Sequence, residues 1–132
     1  MTKRVAPVLV FLLSIAVVGL SAHLKVERTT PVADATVADA PTRIQVWFSQ
    51  NPTLPVSALS LKGPEGTVEL GKVEAGRTDG KPDRSLMAPI VGRLAPGVYT
   101  ATWKTSGGDG HIQTDTFTFT FTPVTTDDTR RH

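Results

Sequence analysis

Thr116-Phe117-Thr118-Phe119-Thr120-Phe121-Thr122 alternates strictly between hydroxyl and aromatic side chains. In an extended chain successive side chains point to opposite sides, so the three Phe rings share one face and the Thr hydroxyls the other. A helix would scatter the rings around its circumference, whereas a strand delivers them to a core as a block. The register is strongly specified, because a slip of one residue would turn all three rings toward water.

Working back along the chain, the same period recurs between turn residues. Ala95-Pro96-Gly97 leads into Val98–Lys104, where Tyr99, Ala101 and Trp103 alternate with Val98, Thr100 and Thr102. Ser85–Val91 reads as a weaker strand. Val56–Leu61 and Thr67–Val73 read as a hairpin around Gly63-Pro64-Glu65-Gly66. In Arg43–Phe48, Ile44, Val46 and Phe48 point one way and Arg43, Gln45 and Trp47 the other. Leu24 and Val26, alternating with Lys25 and Glu27, suggest a short first strand. Thr30–Pro41 reads as a loop, Asn51-Pro52 with Pro55 as an irregular connection, and the polar stretch Glu74–Arg84 as a mobile surface loop. No helical period follows the first 22 residues and there is no internal repeat. Many short strands at close spacing predict an all-β sandwich or barrel.

The chain has 132 residues, room for one domain. It has no Cys, which excludes thiolate chemistry, iron–sulfur clusters, cysteine zinc sites and disulfides. Residues 1–22 have the three-part form of a secretory signal: Lys3 and Arg4, an apolar run from Val5 to Leu20, then Ser21-Ala22. The alternative is an uncleaved anchor, since the run is nearly long enough to span a bilayer. Cleavage after Ala22 makes His23 the first residue; cleavage after Ser21 leaves Ala22 ahead of it. The net charge of +2 comes from the leader, so the remainder is balanced and shows no electrostatic footprint for nucleic acid. The expected organisation is a leader at 1–22, a domain at 23–123 and a polar flexible tail at 124–132.

Three His are present. His132 ends the polar tail and is expected to be solvated. His111 closes the segment Ser106-Gly107-Gly108-Asp109-Gly110, whose glycines allow the tight backbone that would let Asp109 and His111 converge. Asp-x-His alone is a weak signal. It gains weight from His23, because an amino-terminal His offers its α-amine and ring Nδ1 as a chelate. With the His111 imidazole and the Asp109 carboxylate this makes three nitrogens and one oxygen, a set suited to tetragonal copper(II). Copper(I) prefers soft sulfur, and beyond the leader only Met87 offers it. Asp34, Asp39, Asp79 and Asp83 read as turn formers rather than calcium ligands. No serine sits beside an obvious base, and Gly107-Gly108 lacks the Lys and helix of a phosphate loop.

His23-Leu24-Lys25, Thr29-Thr30-Pro31, Phe48-Ser49, Leu94-Ala95-Pro96-Gly97-Val98-Tyr99, Trp103, and Asp109-x-His111 before Phe117-x-Phe119 follow one another in an order that resembles the CopC family of periplasmic copper-resistance proteins. The resemblance spans the chain from His23 onward. It implies a Greek-key, immunoglobulin-like β-sandwich of about seven strands. It also implies one copper(II) per chain, held by His23, Asp109 and His111, in a monomer that is periplasmic or otherwise exported. Delivery to an inner-membrane copper transporter of the CopD kind fits this role. Two departures stand out. Family members commonly carry an acidic residue just after Phe-Ser, where this chain has Gln50; an amide adds no charge and suits a hydrogen bond to a ligand or to metal-bound water. The methionine-rich segment of some members is absent.

Two other readings compete with a non-catalytic copper binder. An amino-terminal His holding copper also occurs in oxidative polysaccharide-cleaving enzymes, although four protein ligands leave little room for oxygen. An immunoglobulin-like interaction module would carry its His residues incidentally and melt at the same temperature with and without copper.

Overall fold

The computed structural model of the chain describes Lys3 and residues 23–124. The rest of the leader expected at 1–22, and the tail from 125 with His132, lie outside the described residues. The fold is the expected all-β sandwich with Greek-key crossings. Its strands are β1 (Val26–Thr30), β2 (Thr36–Val37), β3 (Arg43–Phe48), β4 (Ala58–Gly63), β5 (Gly66–Val68), β6 (Glu74–Thr78), β7 (Lys81–Pro89), β8 (Gly97–Ser106) and β9 (Ile112–Phe121). One sheet has the order β1-β3-β7-β6 and the other β2-β9-β8-β4-β5. Neighbours are antiparallel except β2, which runs parallel to β9.

The alternating faces meet between the sheets. Ile44, Val46, Phe48, Leu86 and Ala88 come from one sheet, and Leu61, Tyr99, Ala101, Trp103, Phe117, Phe119 and Phe121 from the other; all are buried. Phe48 meets Trp103 edge to face at 5.1 Å, and Tyr99 stacks on Phe119 at 5.3 Å. Both are favourable aromatic geometries. The Tyr99 hydroxyl donates to the carbonyl of Ala95, so the polar tip of a buried ring is satisfied in the turn before β8. Burial pushes the Tyr99 phenol above its ordinary pKa.

Several local expectations need correction. The count of about seven holds for the longer strands; among the described residues β2 and β5, of two and three residues, bring the total to nine. The expected Thr30–Pro41 loop contains β2, held by backbone bonds from Asp34 N–H to Thr118 O and from Thr120 N–H to Ala35 O. The Thr67–Val73 strand shrinks to β5 plus a lone bridge from Leu70 to Ile90. Leu24 is buried but Val26 is 40% exposed, and an irregularity in the pairing with β3 between Val26 and Arg28 then shifts the alternation so that Thr29 is the buried residue of β1.

The largest correction concerns Glu74–Arg84, which is not a loop. It forms the β6–β7 hairpin, closing at Thr78↔Lys81 around Asp79 and Gly80, both with positive φ (53° and 77°). Asp-Gly with two left-handed residues is the preferred two-residue hairpin turn. β6 hides from a hydropathy reading because only Gly76 on it is buried.

Asp83 is likewise not a turn residue; it lies in β7. Its carboxylate accepts from Trp47 Nε1 (3.3 Å), the Thr78 hydroxyl (2.9 Å) and the Ser85 hydroxyl (2.6 Å) and N–H (3.2 Å). Burial pushes its pKa up, but these hydrogen bonds together pull it further down, leaving it below the ordinary 3.8. A depressed carboxyl contributes stability above its unfolded value and loses it as pH falls through the folded one. Asp83→Asn is therefore expected to cost about 1–3 kcal/mol at neutral pH. The gap from the parent should close as the pH falls below 3.8. Urea midpoints across that range check this; a gap constant with pH would contradict it.

Candidate metal centre

β8 and β9 pair from Gly97↔Phe121 to Ser106↔Ile112, so the segment 107–111 must reverse the chain at one end of the sandwich. A bond from Gly110 N–H to Gly107 O (3.2 Å) tightens the reversal, and Gly110 has φ 75°. Asp109 and His111 project from this turn. One Asp109 oxygen, Oδ1, accepts the N–H of His111 at 3.0 Å, an Asx-type bond that ties the two residues together.

His23 approaches from the other sheet. Leu24 is 3% exposed and plugs into the core, anchoring the chain immediately after His23. Lys25 N–H donates to the Ser49 hydroxyl (2.9 Å), and Ser49 N–H returns a bond to Lys25 O (2.8 Å). Sequence reasoning assigned no role to Ser49, although the Phe48-Ser49 pair was visible as a motif. This anchoring places His23 Nδ1 3.9 Å from Asp109 Oδ2. The rings of His23 and His111 have centroids 6.4 Å apart.

The three expected donors thus stand at one corner of the molecule, two of them contributed by a single five-residue turn. Among the described residues, no three His, Cys, Asp or Glu side chains already enclose an ion-sized space. The arrangement is one of neighbours. Donors opposite each other on one ion, each about 2 Å from it, are separated by about 4 Å, close to the His23–Asp109 spacing. The His23 side chain is 51% exposed and that of Asp109 31%, so both can rotate in solvent. The chemistry on offer is two imidazoles and a carboxylate, a nitrogen-rich set without sulfur, which fits a borderline divalent ion.

Gln50 lies beside the turn. Its Oε1 accepts the N–H of Gly108 at 3.1 Å. The hydrogen bond expected of it toward a ligand or metal-bound water therefore has a backbone counterpart. Met87 is in β7, paired with Gln45 and Glu74 on its two sides, and is not part of this corner. Among the described residues no helix is long and apolar enough to cross a membrane.

A family profile described as the CopC domain matches residues 26–122. Protein YobA of Escherichia coli (strain K12) is 30% identical over 98 residues, covering 74% of this chain and 77% of that protein. Among solved structures, PcoC, a methionine-rich copper resistance protein from Escherichia coli, is similar with a TM-score of 0.65 and 32% identity. That similarity covers 76% of this chain and all of PcoC. CopC from Methylosinus trichosporium OB3b is similar with a TM-score of 0.66 and 26% identity, covering 77% of this chain and 96% of that one.

Proposed function

The chain belongs to the CopC family, and from that membership we propose that it is an exported copper(II) carrier serving copper resistance, storage or delivery. The observation that carries this reading is the approach of His23 Nδ1 to Asp109 Oδ2 at 3.9 Å, beside His111. Signal cleavage after Ala22 would add the freed α-amine of His23, completing three nitrogens and one oxygen. That set favours copper(II) among divalent first-row ions. PcoC is described as methionine-rich, whereas this chain has two Met, Met1 in the expected leader and Met87 in β7. Thioether binding of copper(I) is therefore not part of the proposal.

Each residue has a distinct part. His23 supplies the chelate, and the burial of Leu24 fixes where it stands. Asp109 supplies the negative charge and, through its other oxygen, holds the His111 backbone. His111 supplies the second imidazole. The exposed position suits a carrier, since an accepting ligand can approach the ion from solvent while the donors let go one at a time. One ion per monomer, no catalysis, and release to an inner-membrane transporter complete the reading.

A chain beginning at His23 is expected to take up one equivalent of copper(II) and to melt at a higher temperature when loaded. Ligand at 1,000 times its dissociation constant stabilises a domain by about 4 kcal/mol. A chain beginning at Ala22 should bind more weakly, because its α-amine is displaced from the His23 ring. Calorimetric scanning with and without the ion decides the matter. An unchanged melting temperature and no spectroscopic uptake would remove the copper assignment, and equal binding by both chains would remove the α-amine from it.

A further inference from the structure

The segment after β3 is tied down at both ends. Ser49 exchanges two bonds with Lys25 and accepts from the Arg84 guanidinium at 3.2 Å through its carbonyl. Thr53 N–H donates to Ser106 O at 3.0 Å, and the hydroxyls of Ser57 and Thr105 meet at 2.6 Å. Gln50 therefore springs from a base linked both to the segment just before β1 that carries His23 and to the last residues of β8. From that base its Oε1 reaches Gly108 N–H. The side chain also lies flat against Gly107, where an added Cβ would stand 2.7 Å from Oε1, 3.4 Å from Cδ and 3.3 Å from Leu24 Cβ. A side chain at position 107 would push the Gln50 amide oxygen aside and crowd Leu24.

The geometry points to Gln50 as a positioning residue: its amide oxygen holds the Gly107–Gly108 turn so that Asp109 and His111 face His23. It acts through the backbone of the turn and gives no ligand to the ion. A carboxylate at the same position would bring a charge to the site, whereas the amide provides an acceptor without one. The turn is then braced before any ion arrives, which reduces the ordering that binding would otherwise have to impose. This role rests on the copper reading only for its effect on affinity; the brace itself belongs to the metal-free protein.

The test uses the chain from His23 with Gln50→Ala, Gln50→Glu, Gly107→Ala and the Gln50→Ala/Gly107→Ala pair. In metal-free protein, Gln50→Ala should speed hydrogen exchange at the Gly108 amide about five-fold, the worth of one hydrogen bond. Gln50→Glu keeps an acceptor and should restore protection. Copper(II) affinity, by competition with a chelator, should fall about five-fold in Gln50→Ala, while the metal-free variant still unfolds cooperatively within a few degrees of the parent. Gly107→Ala should weaken binding in the parent and cost less in the Gln50→Ala background, where the 2.7 Å clash is gone. That non-additivity is the mark of direct coupling. Unchanged Gly108 exchange in Gln50→Ala overturns the proposal, and so does faster exchange with unaltered affinity. Higher affinity in Gln50→Glu with Gly108 unprotected would make position 50 a ligand site and also overturn it. A parent chain that takes up no copper(II) sinks the copper reading, and the exchange rates then decide the brace alone.

Discussion

Copper(II) affinity is expected to fall at least about 100-fold when either His23 or His111 is replaced by Ala, more than the 10–100-fold usual when only an outer partner of a ligand is lost. Under the proposed assignment, each substitution removes one imidazole from a set of four donors. Neither should disturb the fold, since both His are exposed and neither belongs to the core. Melting of the metal-free variants should stay within about 0.5 kcal/mol of the parent, as for most surface changes. Asp109→Asn is the informative companion. An amide oxygen can still accept the His111 N–H, so the turn persists while the negative charge opposite His23 disappears. A loss in that variant isolates the charge from the geometry. Competition titrations that leave both His→Ala proteins at parental affinity would show that the ion, if bound, sits elsewhere.

Phe119→Ala is expected to cost about 3–5 kcal/mol, the usual range for emptying a buried aromatic site. Phe119 is 1% exposed, is the cross-strand partner of Tyr99 and stacks on that ring with 9° between planes. The cavity would open between the two longest strands, and the chain has no disulfide to compensate. In a domain of this size each kcal/mol moves the melting temperature by roughly 4–8 °C, so the variant should melt at least about 12 °C lower. Thr116→Ala, on the solvent face of the same strand, should change stability by no more than about 0.5 kcal/mol. Urea unfolding of the pair is the check. Similar costs at the two positions would mean that the alternation does not divide core from solvent.

How much could be read in advance differs from strand to strand for identifiable reasons. β3, β8 and β9 were legible because three apolar residues recur at every second position in each, with aromatic rings among them. β6 was not, since an edge strand lying over Gly76 presents mostly polar side chains to water. Its best clue was the Asp79-Gly80 turn, which composition alone made look like a loop. β1 misled because Val26 stays exposed and an irregular pairing after it makes Thr29 the buried residue. β2 depends on a distant partner, β9, and two residues carry no period of their own.

The candidate site divides in the same way. Ligand chemistry nominated His23, Asp109 and His111, because only a few side chains here can hold a metal and each was recognisable by type and neighbours. Their common corner, the plug formed by Leu24, the Ser49–Lys25 clasp and the bond from Gly108 to Gln50 belong to the folded molecule. That last bond joins residues 58 positions apart. Side-chain period and donor type are properties of adjacent residues, so the chain by itself settles core faces and the menu of ligands. Which donors meet, and what braces them, follows from how two sheets stack and where their connecting turns emerge. Those are long-range contacts, whose energies no local pattern encodes.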